Sequence, residues 1–491
     1  MNRRLSEQEP TPPRLALFVA AFGLACFVIL AVGDAPTPIL HDMVEAYVWG
    51  QQFELGYHQH PPFWAWVCGV WFRLLPPAGW SFAALDALNA VIGLAGAWAL
   101  IGDFARGERR VAAFALLLLT PIYTLGAYKY DANTIFISLW PWATHAFVRA
   151  LRTRTLVWSL AFGALVGVAL LSKYFAALLL VACGLAALTS QEGRVWLRSA
   201  SPWISAAVAA TLLAPHAFWL AQTGAPPLRY LASVSGLSFA AAGRAALDAA
   251  LGVAVEFLGV VAVVIYFARR EAGAPRPARD PGLRMPVILG LGPLALTFLA
   301  GLALRVRLTA EMPIGALALI PLLAIEAARI DAGRGLARFS RRAAVAVVLA
   351  MTALSPVVML ARAYVGKNAV NAAPYEEAAE AVTRLWRERV GRPLAYVAGR
   401  EYSHFTAFYS PDHPQAFFEF DYARNLWITA EKLARQGFAA VCAATDATCL
   451  TEAEALAAGR GERVEFSVSR RFLGHVGAPR AIVAWLVPPQ P

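Results

Sequence analysis

Apolar runs close to the length of a membrane-crossing helix recur along the first three quarters of the chain and then stop. A helix needs about 20 mainly apolar residues to cross a bilayer. Runs of this kind fall at 15–32, 81–101, 111–125, 133–150, 156–171, 174–188, 202–220, 247–267, 285–304, 312–328 and 343–361, which predicts about eleven spans. The apolar stretch 62–75 is shorter, starts from a Pro-Pro pair and is rich in Trp. It reads as a helix lying in the interface with its aromatic side among the headgroups. After about residue 362 the pattern changes. Residues 374–390 read as an amphipathic helix with acids in the first turn, where the macrodipole favours them. Segments 394–398, 439–444 and 481–487 read as short buried strands, with helical stretches at 430–436 and 452–459. The predicted fold class is a mainly α, polytopic membrane protein, with a membrane domain over 1–361 and a small α/β domain over 362–491.

Composition agrees with this pattern. Of 491 residues 59% are hydrophobic and only 15% charged, with a mean hydropathy of +0.54. Soluble domains carry roughly 45–50% apolar and about 25% charged residues, so a water-soluble globular enzyme is excluded. Intrinsic disorder is excluded as well, because disordered chains are poor in apolar residues. The formal net charge of +11 is a topology signal. Arg3, Arg4 and Arg14 precede the first run, and alternate connections carry further Arg clusters up to Arg342. On the eleven-span reading about 21 Lys and Arg face one side and about seven the other. This puts the N-terminus in the cytoplasm and the C-terminal domain outside, with no nucleic-acid partner. Counting 62–75 as a span would erase the asymmetry. The first run lacks a small-residue cleavage site after it and reads as a retained span.

Cys26, Cys68 and Cys183 lie in or near the apolar runs, whereas Cys442 and Cys449 lie in the C-terminal domain with six residues between them. An oxidising compartment permits a Cys442–Cys449 disulfide; two free thiols in a small core is the alternative.

The predicted outer loops carry the candidate chemistry. The first holds Asp34, then His41-Asp42-Met43-Val44-Glu45-Ala46-Tyr47-Val48-Trp49-Gly50, then Gly56-Tyr57-His58-Gln59-His60-Pro61-Pro62. Asp42 and Glu45, at spacing i, i+3, share one face of a helix. A carboxylate at the mouth of a membrane cavity can accept a proton from a hydroxyl nucleophile, although an Asp at such a place also serves as a helix cap. Tyr57, His58 and His60 are candidate substrate-binding residues. The second loop, Tyr128-Lys129-Tyr130-Asp131-Ala132-Asn133-Thr134, offers Asp131 for substrate or for capping the next helix. Lys173, in Ser172-Lys173-Tyr174, either snorkels to the interface or binds a lipid phosphate. Later loops add His216, Gln222, Arg229 and Tyr230, then Arg305, Arg307 and Glu311; Arg229 is a second candidate for the phosphate.

Several signatures are missing: the phosphate-cradling Gly-x-x-x-x-Gly-Lys-Ser/Thr loop, the strand-linked Gly-x-Gly-x-x-Gly, zinc-like His/Cys spacing beyond His58 and His60, and an Asp-x-Asp pair. An ATP-driven pump and a nucleotide-dependent enzyme are thereby disfavoured.

Order and spacing over about 34–230 resemble the GT-C class of multi-spanning glycosyltransferases, above all the family 39/PMT_2-like enzymes. These include lipid A aminoarabinose transferases, bacterial galacturonosyl transferases of lipopolysaccharide and protein O-mannosyltransferases. Members often read Asp-Glu-Ala-x-Tyr-Trp, about eight residues, then Gly-Tyr-x-x-x-Pro-Pro. Gap-free counting back from Gly56–Pro62 puts the family's acceptor-activating Asp on Asp42. Met43 stands where the family's Glu follows, so this chain departs from the Asp-Glu pair and Glu45 competes for part of its role. The resemblance also puts the second acidic loop on Asp131 and a phosphate-facing Lys on Lys173. It implies a polyprenyl-phosphate-linked sugar as donor, an envelope lipid, glycan or protein as acceptor, inversion at the anomeric carbon, and a periplasmic site on the bacterial inner membrane. Metal use varies within the class, and no ligand set is legible here; a divalent metal is compatible with it. The rival from another class is a secondary transporter or lipid flippase. Transporters place charges near the bilayer midplane on broken helices, whereas the candidate charges here lie at the outer rim.

Overall fold

The computed structural model describes residues 12–124, 129–271, 281–330, 334–364 and 372–490. Arg3, Arg4 and Tyr128 of the sequence reading lie outside them, as do Arg276 and Arg279. The chain forms two compact units, one of residues 1–27, 59–63 and 85–353, the other of 28–58, 64–84 and 354–491.

All eleven apolar runs are wholly or largely helical in their described residues, and the protein is a multi-pass membrane protein. Five helices are singly long and apolar enough to cross: Pro13–Gly33, Gly79–Gly102, Ser201–Thr223, Arg284–Leu304 and Gly335–Tyr364. Two further pairs qualify if each is one bent span, Tyr174–Thr189 with Gln191–Leu197 and Pro226–Val234 with Phe239–Glu256, bent by 109° and 101°. Other runs are shorter or interrupted. Run 247–267 is split at Phe257 (φ −103°, ψ 5°) into Phe239–Glu256 and Leu258–Arg270. The break falls beside the Glu256 carboxylate. Run 111–125 breaks before Pro121, which has no N–H to donate to a preceding turn. Run 312–328 opens as the 3-10 turn Ile314–Leu319 before Ile320–Ala328.

In the larger unit the helices approach through small residues, the usual currency of packing where lipid removes the hydrophobic driving force. A Cβ on Gly93 would lie 2.4 Å from the Ile137 carbonyl oxygen, so Gly79–Gly102 and Phe136–Thr153 pack there backbone to backbone. Ser159 and Ser201 hydroxyls pair at 2.6 Å, and Ser205 donates to the Ser159 carbonyl at 2.8 Å, joining Leu156–Leu170 to Ser201–Thr223.

The other unit holds the first-loop helix His41–Gln52, the helix Phe63–Leu74 apart from its first residue, and the C-terminal α/β region. Strands β1 (Tyr396–Gly399), β2 (Gln415–Phe418), β3 (Phe438–Ala443), β4 (Glu462–Val468) and β7 (Arg480–Val487) form one sheet in the order β2-β1-β3-β7-β4. β1 runs parallel to β2 and β3, through the crossover helices Glu401–Tyr409 and Ala430–Gln436. β7 runs antiparallel to β3 and β4. Helix Tyr375–Val390 ends at Gly391, whose φ of 76° favours glycine. The small strands β5 (Arg471–Phe472) and β6 (His475–Val476) form a separate hairpin. Cys442 and Cys449 are disulfide-bonded, and Cys26, Cys68 and Cys183 are free and buried.

Candidate active site

The larger unit gathers His60, Lys129, Asp131, Asn133, Lys173 and Glu311. Asp131 opens a tight turn: its Oδ1 accepts the N–H groups of Asn133 at 2.7 Å and Thr134 at 2.8 Å, while the Thr134 hydroxyl accepts the Asp131 N–H at 2.9 Å. The capping geometry expected of Asp131 is therefore present. Its other oxygen lies 2.9 Å from the Lys129 ammonium, which also reaches Glu311 at 3.3 Å. Burial alone would raise the Asp131 pKa, but Lys129 and the two backbone donors outweigh it, and the carboxyl ionises below its usual range. Asp131 is thus a fixed carboxylate, an acceptor rather than an acid.

Lys173 does not simply snorkel. Its ammonium donates to Asn133 Oδ1 at 2.6 Å, so the turn that Asp131 shapes also orients the lysine. Next to it, the Phe63 N–H donates to the Leu171 carbonyl at 2.8 Å, holding segment 59–63 against the end of Leu156–Leu170. This brings His60 close to both Lys173 and Asp131. The ring keeps some accessible surface but sits deep among protein atoms. Burial and the Lys173 charge lower its pKa to about 3, with Asp131 pulling the other way. His60 is a neutral imidazole at physiological pH. The Tyr174 hydroxyl and His216 Nε2 pair at 2.7 Å, tying the lysine turn to Ser201–Thr223.

Beneath this cluster, Asn89 reaches out of the long helix Gly79–Gly102 and donates to the Thr134 carbonyl at 2.7 Å. Asp86 lies one turn away, buried, with Oδ1 lacking a hydrogen-bond partner among the described residues. Neither was singled out from sequence, nor were Lys129 and Asn133 as members of the site. Polar residues at i, i+3 inside an apolar run were the available signal for Asp86 and Asn89. Arg229 is exposed and donates to the Thr223 carbonyl at 3.2 Å, where a cation complements the C-terminus of Ser201–Thr223.

The other unit carries Asp42, Glu45, Tyr57 and His58. Helix His41–Gln52 starts after Leu40, and its N-cap makes no side-chain bond, so Asp42 is a first-turn acid and not the cap. Glu45 is buried while Asp42 and His58 are half-buried. The Tyr57 hydroxyl donates to the Trp49 carbonyl at 2.6 Å, and its ring stacks on Trp49 at 4.8 Å. Tyr57 is thereby committed to holding the loop against its helix. Where this helix crosses Phe63–Leu74, a Cβ on Gly50 would meet Ala65 oxygen at 2.4 Å and one on Gly69 would meet Gly50 oxygen at 2.1 Å. At the helix start His41 lies 5.2 Å from the ring of His404, which stacks on Phe418 at 4.3 Å. Among the described residues no group of three or more His, Cys, Asp or Glu is arranged to hold a metal ion.

Residues 59–219 match the family described as dolichyl-phosphate-mannose-protein mannosyltransferase, PMT_2. The chain is 27% identical over 368 residues to the lipopolysaccharide core galacturonosyltransferase RgtB of Rhizobium johnstonii, covering 71% of this chain and 72% of that one. It is 24% identical to the lipid A galacturonosyltransferase RgtD of the same organism, covering 56% and 59%. Its fold is similar to ArnT from Cupriavidus metallidurans, solved bound to undecaprenyl phosphate, with a TM-score of 0.61, 16% identity, and coverage of 98% of this chain and 100% of that one. The chain is a multi-spanning membrane glycosyltransferase of the GT-C class. The PMT_2 similarity is carried by residues 59–219, the similarity to the Rhizobium galacturonosyltransferases runs over more than half of the chain, and the likeness to ArnT is one of fold.

Proposed function

We propose that the enzyme moves a sugar from a polyprenyl-phosphate carrier onto lipid A or the lipopolysaccharide core, at the periplasmic face of the inner membrane. The observation that carries the donor half is the Lys173 ammonium, oriented by Asn133 at 2.6 Å beside a histidine kept neutral. A preorganised cation of this kind stabilises charge growing on a leaving phosphate, and does so most where water is excluded. Arg229 is a second phosphate contact in this reading. The acceptor half rests on the curated relatives, which act on the lipopolysaccharide core and on lipid A and transfer galacturonic acid. A uronic acid is accordingly the favoured sugar class.

In the reaction the acceptor hydroxyl attacks the anomeric carbon as the polyprenyl phosphate departs, with inversion. Asp42 takes the hydroxyl proton, and Glu45, one turn on, positions Asp42 or the acceptor. Asp131, His58 and His60 orient sugar and acceptor, and Tyr57 serves binding indirectly by holding the loop that leads into the two histidines. The topology that goes with this reading has the N-terminus cytoplasmic and residues after 362 periplasmic. The test is transfer by the purified protein in proteoliposomes, from polyprenyl-phosphate galacturonate and from neutral-sugar carriers, onto lipid A and core acceptors. Product from none of the donor–acceptor pairs would reject the reading. Product from a neutral sugar alone would overturn the uronic-acid assignment.

A further inference from the structure

The hairpin of strands β5 and β6 is built against the preferences of a soluble turn. Arg471 pairs with Val476 and Phe472 with His475, leaving Leu473 and Gly474 as the two turn residues. Both have positive φ, 46° and 82°. Such two-residue turns strongly prefer Asn-Gly, Asp-Gly or Gly-Gly. A leucine in the left-handed region costs roughly 1 kcal/mol or more in backbone strain. Leu473 also leaves 56% of its surface exposed, and Val476 leaves 63%. A bulky apolar side chain is held in a strained conformation, with nothing in its own unit to bury it. Strain of this kind marks a working surface when the surrounding structure enforces it. Here the enforcement is visible: the Gly477 N–H closes on the Arg470 carbonyl at 2.9 Å, and the Arg471 N–H donates to Glu377 Oε1 at 3.0 Å.

The level of the hairpin is fixed by a second contact within the same unit. The His475 ring lies 4.4 Å from that of Tyr364, the last residue of the membrane-crossing helix Gly335–Tyr364. A tyrosine ending a span sits at the headgroup level. The hairpin is therefore tied to the bilayer surface, with exposed apolar tips and the exposed Arg471 beside them.

We propose that 471–476 is an interfacial anchor. In it Leu473 and Val476 enter the headgroup–acyl boundary at the Tyr364 end of the last span, and Arg471 faces lipid phosphates. Apolar tips flanked by cations bind anionic bilayer surfaces through both terms. The anchor sets the height of the C-terminal sheet over the membrane, independently of which sugar the enzyme moves.

The test uses the full-length protein in vesicles of mixed phosphatidylglycerol and phosphatidylcholine, with a nitroxide at Val476→Cys. The native cysteines are buried or bridged. The label should be more accessible to oxygen than to a water-soluble nickel chelate, the reverse of a control label at Glu465→Cys. Adding Leu473→Asn, which suits the turn and keeps the hairpin folded, should cut the oxygen-to-nickel ratio by about twofold or more as one tip leaves the interface. Arg471→Gln should lower it in the anionic vesicles and not in pure phosphatidylcholine. A label as open to nickel as the control overturns the anchor. So does a label shielded from both reagents, which would mean that protein covers the hairpin.

Discussion

Lys173 and Asn133, forty residues apart in sequence, meet at 2.6 Å, and the asparagine is held by the Asp131 turn. This neutral side chain helps to aim the lysine without offsetting its charge. Lys173→Ala should lower transfer sharply through donor use, because a desolvated phosphate left without its cation costs several kcal/mol. Asn133→Ala should raise the apparent KM for donor with a smaller loss. Initial rates against donor concentration separate the two; an unchanged donor dependence in both would remove Lys173 from the phosphate site.

General base catalysis is typically worth about 10²–10⁴-fold. Asp42→Asn should therefore reduce the transfer rate by at least that order at matched protein level, and Glu45→Gln by less. If Glu45→Gln abolishes transfer while Asp42→Asn stays near wild type, the base is Glu45. If neither substitution matters, the proton acceptor is neither of these two carboxylates.

The crossing at Gly50 and Gly69 tolerates no side chain. Gly50→Ala must push two helix backbones apart, an overpacking worth roughly 1–3 kcal/mol. The thermal midpoint of the purified protein should fall, and activity with it, because the same helix carries Asp42.

Two histidines should make the protein acid-sensitive. Burial lowers the pKa of His404 well below the usual value, with His41 adding to the effect, and that of His60 to about 3. Stability gained by keeping such a ring neutral is complete above the unfolded pKa near 6.5 and is lost as pH falls, by about 1.4 kcal/mol per unit for each group. The melting temperature should drop between pH 7 and 5. His404→Phe, which preserves the stack on Phe418, should flatten that slope; an unaltered slope would show that His404 is not one of the groups responsible.

Reduction or Cys442→Ser should cost the C-terminal region about 2–3 kcal/mol, the value of closing a short loop. Unfolding with and without reductant, followed on the wild type and the variant, measures it; equal midpoints would show that the bridge stabilises nothing.

Much of this architecture was readable because its causes are local. Apolar runs predict helices wherever they stand, and the strands at 438–443 and 480–487 are continuous apolar stretches. Strand β4 gives no such signal, because Glu462, Arg463 and Glu465 interrupt it with charge and its other residues only alternate between exposed and half-buried. β2 is as short as β1 but opens on the exposed Gln415 and lacks the continuous apolar run of 394–398 that marks β1. The helix Glu401–Tyr409 escaped because its residues are buried nearly all round, leaving no stripe. In the site, Asp131 and Lys173 stood out as charges at the ends of apolar runs. Asn133 did not, since an amide next to a turn looks like turn chemistry until a lysine from another loop is found on it. His41 facing His404 joins positions more than 350 residues apart, which no local pattern encodes.

The bond from Asn89 to the Thr134 carbonyl has a mechanical meaning. Gly79–Gly102 has 24 residues, roughly 36 Å of helix, longer than the hydrocarbon core of a typical bilayer, about 30 Å. Such a helix meets a thinner membrane by tilting. A tilt moves Asn89, and Asn89 holds the turn from which Asp131 and Asn133 aim Lys173. A bilayer thin enough to tilt the helix would therefore shift the Lys173 ammonium as well, making the lipid a setting of the machine as well as its surroundings.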